Sequence, residues 1–264
     1  HEKPIEDDVA VYDSIEQAIQ GACPSLKIEH LEDKRRRVLV DLELEAAGNL
    51  LVRSPATDAG APDTVHLCSA GKPVLPGTGL AGALRAQALR IAGLVREATG
   101  DGDRWVDCLF GPQLKDKEKN SENDRARASR LRVSEAFIEG GEARRQTRIA
   151  IDRFTGGVVK GGLFEEQVQS GGKLRVRLEL RNPCNPEIGL LLLLLKDLLS
   201  GEIPVGGAAS VGRGVLRGTA RVRMPEGTVY EITANLAVSD EALKAFDSRI
   251  RDFHAAAQTE EAQA

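Results

Sequence analysis

The chain has 264 residues, enough for one sizeable domain or two small ones, and its 41% hydrophobic and 29% charged content is that of a globular protein, not a fibrous one. Aromatic residues make up only 3%, which argues against a standard RNA-recognition sheet with stacking rings. The formal net charge of −4 is unevenly spread: residues 1–33 carry nine acids against two bases, and 225–264 carry eight against three, so 34–224 holds an excess of eight positive charges.

That division predicts a basic, phosphate-binding core over 34–224, between an acidic N-terminal extension (1–33) and an acidic, partly helical tail (225–264) that face other protein subunits. Cys23, Cys68, Cys108 and Cys184 form no C-x-x-C pair and have no nearby His pair, so they read as small buried hydrophobes, not a zinc site or a disulfide framework. Acids at 2, 6, 7 and 8 do not suit a signal peptide, and the apolar run Ile188 to Leu195 is too short to span a membrane. A cytoplasmic location is the expectation.

In chain order, residues 14–20 suggest a short helix. Val38, Val40, Leu42 and Leu44 then alternate as a half-buried strand behind Arg35, Arg36 and Arg37. Residues 46–71 read as a loop with one extended piece over 65–67, holding Asp58, Asp63 and His66. Asp63 follows Pro62 and suits a turn cap, and His66 reads as a loop or core histidine.

Gly71 to Leu94 reads as a short extended segment, a glycine loop, then an amphipathic helix with apolar residues at 80, 84, 88, 91 and 94. The unpaired amides at a helix start suit phosphate, and Arg85 and Arg90 add charge nearby. Gly77, Gly79 and Gly82 also match a dinucleotide fingerprint, the basis of an alternative reading as a dinucleotide-binding oxidoreductase. The preceding Lys-Pro-Val-Leu-Pro makes a poor parallel strand for that motif.

Around Trp105, the segment ending Cys108-Leu109-Phe110-Gly111 should pack, and the charged tract 113–130 predicts a mobile insertion. Leu131 to Ile138 resumes as a strand, and residues 125–181 carry thirteen bases against seven acids. Lys173 to Leu180 alternates as a strand with Leu174, Val176, Leu178 and Leu180 on one face. A Leu-rich helix over 188–199 closes at Gly201, a glycine loop surrounds Arg213, a strand covers 214–224, and Asp240 to Phe253 has a helical pattern. Strand, loop, helix, strands, helix, glycine loop, strand is the βαββαβ order of an α+β, ferredoxin-like fold with insertions.

Pro76-Gly77-Thr78-Gly79-Leu80-Ala81-Gly82-Ala83-Leu84-Arg85 resembles the Pro-Gly-Ser-Ser-Leu-Lys-Gly-x-Leu-Arg signature of the RAMP superfamily, with Ala81 in place of its lysine. Ile151-Asp152-Arg153-Phe154-Thr155-Gly156-Gly157, with Gly162 to Val168, is similar to the central segment of type III CRISPR backbone subunits, and 206–214 resembles the superfamily's C-terminal glycine loop. The resemblance implies a modified ferredoxin-like (RRM-like) fold with a thumb-like hairpin insertion. Its implied partners are guide RNA, target RNA and other subunits of an effector complex, with no membrane.

It further implies that Gly77, Thr78, Gly79, Arg85, Arg148, Arg153, Phe154, Thr155, Gly207 and Arg213 contact RNA. A loop acid, Asp63 or as second choice Asp58, would promote target cleavage as an endoribonuclease with a divalent metal such as Mg held at Asp63. Within the same family, a non-catalytic scaffold is the alternative. For Phe154, core packing and wedging between bases are equally compatible with the sequence.

Overall fold

The computed structural model describes residues 35–56, 60–95, 103–112 and 127–259. The N-terminal extension with its expected helix, Asp58, and most of the 113–130 tract lie outside the described residues.

The framework is a five-stranded antiparallel sheet in the order β13-β12-β1-β11-β7. It is built from β1 (Arg37–Ala46), β7 (Leu131–Val133), β11 (Lys173–Arg181), β12 (Leu216–Arg223) and β13 (Val229–Ile232). Without its added edge strand β13, the order β12-β1-β11-β7 places the fourth strand of the βαββαβ unit beside the first and the third beside the second. That is the ferredoxin-like arrangement expected from the element order.

Period-two sequences form this sheet because one face is covered. Val38, Val40, Leu42 and Leu44 meet Leu180, Leu178, Val176 and Leu174 across β1 and β11, and all eight are buried. The opposite face alternates charge across strands, with Asp41, Glu43 and Glu45 on β1 facing Arg177, Arg175 and Lys173 on β11.

Helix α1 (Gly77–Val95) buries Leu80, Leu84, Ala88 and Ala92, a four-residue spacing that keeps one stripe on the core. α2 (Asp103–Phe110) packs beside it, burying Val106 and Leu109. α3 (Asn185–Ser200) is leucine-rich nearly all round because it is covered on both sides, with α4 (Asp240–Thr259) packed over it, and it ends at Gly201 with φ +87°. Its first turn is tied down by an ion pair between Arg130 and the buried Glu187. Residues 229–259, within the acidic, partly helical tail, extend the sheet and cover α3 in the same compact unit.

A second sheet rises from the loops. β10 (Val158–Ser170) is central, paired along its length with β9 (Glu142–Ile151) and near its end with β2 (Asn49–Leu50) and β4 (Thr64–His66). β3 (Arg53–Pro55) completes it. β9 and β10 form the thumb-like hairpin. β5 (Cys68–Ser69), β6 (Lys72–Leu75) and β8 (Ala136–Phe137) make a small third sheet.

The strand leading into the glycine fingerprint, β6, is antiparallel to both neighbours, and the one parallel pairing described, β4 with β10, spans two residue pairs. A dinucleotide unit needs a parallel βαβ crossover there, so the oxidoreductase reading falls. Among the cysteines, Cys68 and Cys184 are exposed and Cys108 is half-buried, so the expectation of burial fails for the first two, which sit in a short edge strand and at the start of α3.

Candidate functional site

At the start of α1 the glycines serve different ends. A Cβ on Gly77 would fall onto the Val133 carbonyl oxygen, so this glycine lets the helix start press against β7. The Gly79 N–H donates to the Pro76 carbonyl at 3.0 Å, while the amides of Gly77 and Thr78 have no such partner among the described residues. Thr78, Gly79 and Gly82 are exposed, and a Cβ on Gly82 would meet nothing within 4 Å. Arg85, expected at a phosphate, instead contacts Asp107 at 2.6 Å and donates to the Gly111 carbonyl, fastening α1 to α2.

The second glycine segment, 206–214, is docked along its backbone. The Gly207 N–H donates to the Leu51 carbonyl, that of Gly214 to Asn49 at 2.9 Å, and the Gly214 carbonyl accepts from Val205. A Cβ on Gly214, at φ +81°, would strike the Val205 carbonyl oxygen. Gly207 therefore does not offer a free amide to RNA.

Arg213, expected to reach a phosphate, is carried inward by this docking and is only 2% exposed. Its Nη1 lies 2.8 Å from Glu166 Oε2, itself in a residue 5% exposed, and its Nη2 donates to Gln146 Oε1 at 2.6 Å. Arg148 Nε approaches the same Glu166 oxygen at 3.5 Å. The Arg213–Glu166 approach is an ion contact, not an aligned hydrogen bond. Burying a charge demands a counter-charge, and Glu166, 47 positions earlier in the chain, supplies it. Gln146 and Glu166 are cross-strand neighbours in the hairpin, so one guanidinium clasps both strands.

Asp63 sits just before β4, exposed, with Oδ2 accepting the Glu165 N–H at 2.8 Å. It is thereby set at the base of the basic hairpin. His66, three residues on, is a core residue: its Nδ1 lies 3.2 Å from both the Val52 nitrogen and the Leu50 carbonyl oxygen, and its Nε2 3.2 Å from the Val74 carbonyl oxygen. Burial pushes its pKa below the usual 6.5 against the opposing hydrogen bonds to Leu50 and Val74.

At the hairpin tip, Asp152 Oδ1 accepts the N–H groups of Phe154 and Thr155 at 2.8 Å each and the Thr155 hydroxyl at 3.1 Å. These bonds, that from the Thr155 N–H foremost, hold its carboxyl below the ordinary carboxylate range. The Thr155 hydroxyl is thus engaged inside the turn, whereas Arg153 is exposed and Phe154 is 99% exposed, which excludes core packing for that ring. Ile149, Ile151, Val158 and Leu163 are exposed on one shared face of the hairpin, as the pairings 151 with 158 and 149 with 163 require.

Sequence reasoning singled out Asp63 and the tip but assigned no role to Glu166, Gln146, Asp107 or Asp152. Only Asp152 carries a local signal, an Asp-x-x-Thr spacing that forms such turns.

Among the described residues, no group of three or more His, Cys, Asp or Glu is placed to hold a metal ion. Asp63 offers one exposed carboxylate, which fits the way Mg²⁺ is held by one or two carboxylates together with phosphates and water. No helix among the described residues is long and apolar enough to cross a membrane.

The family model that matches the chain is that of the RAMP superfamily, over residues 63–217. No curated protein matches it. The matched span begins at Asp63 and takes in α1, the hairpin and both glycine segments.

Proposed function

The chain belongs to the RAMP superfamily, whose members work in RNA-binding complexes, and from that premise we propose that it is a backbone subunit of a type III CRISPR RNA-guided complex. Its role is to hold guide RNA and to promote cleavage of the paired target through Asp63. In such assemblies base pairing reads sequence, while the protein grips the sugar-phosphate backbone.

The observation that carries this reading is the placement of Asp63. It is an exposed carboxylate fixed by a backbone amide at the root of a hairpin bearing Arg144, Arg145, Arg148, Arg153 and Lys160. The free amides of Gly77 and Thr78 suit a guide phosphate. Phe154, bare at the tip with Arg153 beside it, suits a wedge against a base step.

Cleavage by the RNA's own 2′-hydroxyl needs the scissile phosphate held in line and a proton taken from the attacking oxygen; the 2′-oxygen bonds to phosphorus as the bond to the 5′-oxygen breaks, leaving a 2′,3′-cyclic phosphate and a 5′-hydroxyl that takes its proton from water. Asp63 is the group at hand to accept that proton or to orient the hydroxyl. Mg²⁺ bound at Asp63 would supply charge stabilisation at the phosphate.

The test uses the chain purified with its native partners. Wild-type complex should retain RNAs that share one repeat-derived end, and Asp63→Asn should retain the same RNAs while losing one target cut by about a hundredfold or more. Loss of assembly would make Asp63 structural, and unchanged cutting would make the chain a scaffold.

A further inference from the structure

We propose that Arg213 and Glu166 are positioning residues for Asp63, an inference that rests on the reading of Asp63 as the cleavage residue. The Asp63 carboxylate has one bond to the described chain, from the Glu165 N–H, so its direction follows the backbone of β10 at that residue. The next residue along β10 is Glu166, whose side chain leaves the face opposite to that of Glu165 and meets Arg213 at 2.8 Å.

Arg213 holds the partner strand as well, through Gln146, and stands on a loop whose backbone is bonded to Asn49, Leu51 and Val205. A continuous set of contacts therefore runs from the docked glycine segment through the guanidinium to β10, and from β10 to the carboxylate. The far end of β4 is pinned separately, where His66 bonds Val52 and Val74. Arg213 and Glu166 are too deeply buried to touch RNA, so they act indirectly, and an effect through Asp63 differs from one through Arg148, 3.5 Å from the same Glu166 oxygen, in vanishing once Asp63 is replaced.

Misplacing a reacting group by a fraction of the reaction distance costs rate, not affinity. In guide-loaded complex under single-turnover conditions with saturating target, Glu166→Gln, which keeps the shape and removes the charge, should slow the cut per complex by roughly ten- to a hundredfold. Target affinity and guide occupancy should stay at wild-type values. Arg213→Met should behave alike, and Arg213→Lys, which keeps a cation near Glu166, should recover part of the rate. The double variant Asp63→Asn with Glu166→Gln should cut no more slowly than Asp63→Asn alone.

If the variants lower only the yield of complex while the rate per assembled complex is unchanged, or if neither Glu166→Gln nor Arg213→Lys assembles at all, the pair is purely structural and the inference is overturned. Wild-type rates in Glu166→Gln and Arg213→Met beside an inactive Asp63→Asn overturn it too, leaving the role of Asp63 intact. Wild-type cutting by Asp63→Asn overturns the underlying reading itself.

Discussion

The two glycine-rich segments, 77–82 and 206–214, read alike in sequence and are built differently. In the second, backbone amides and carbonyls are bonded to Asn49, Leu51 and Val205, and the loop's arginine is turned into the protein. In the first, only Gly77 is pressed against another backbone; Thr78, Gly79 and Gly82 face solvent. Glycine content alone therefore does not mark a phosphate site. A glycine required by its neighbours stabilises the fold, whereas a glycine with empty space above it leaves room for something else.

Substituting glycines separates the two kinds. Gly214→Ala adds a Cβ against the Val205 carbonyl at φ +81°, combining left-handed strain with a backbone clash, and should cost about 3 kcal/mol or more in urea unfolding. A cost under about 1 kcal/mol would erase the contrast between the segments.

Acid should act less strongly, through the pin that joins the two. His66 bonds Val74 in the strand entering the first segment, and Val52, next to the carbonyl that receives Gly207. Its pKa is lower in the folded chain than in the unfolded one, so the unfolded chain binds the proton more readily. Stability is then fully present above pH 6.5 and declines as pH falls below it. The melting temperature should drop between pH 7 and pH 5, and His66→Gln should flatten that slope; equal slopes would show that the ring is not the pin.

The smallest effect belongs to Gly82→Ala. With open space above it and helical backbone, it should raise stability by about 0.5–1 kcal/mol. A simultaneous loss of guide-RNA affinity would show that RNA occupies the space over this turn.

What could be read in advance follows from range. β1, β11 and α3 announce themselves by strict period or by a long apolar run, because each lies against a core that demands it. β2 to β5 are two or three residues long, too short to show a period inside a Gly/Pro-rich stretch. Arg213 could not be placed from its neighbours, since Gly-Arg-Gly looks the same whether the guanidinium meets solvent or the distant Glu166. The Arg85 contact is hidden for the same reason, its partner Asp107 lying on another helix. Asp63 was legible as a candidate only through the loop in which it stands, and the amide that fixes it comes from a strand 102 positions away.

The Asp152 turn bears on the cost of ordering. Three bonds to one carboxylate oxygen fix the residues that carry Phe154, so the ring stands on a backbone already confined to one conformation. Ordering a free loop residue forfeits about 1–2 kcal/mol of conformational entropy. At this tip that loss is met during folding, so a partner meeting Phe154 gains the contact without the backbone giving up freedom at the moment of encounter.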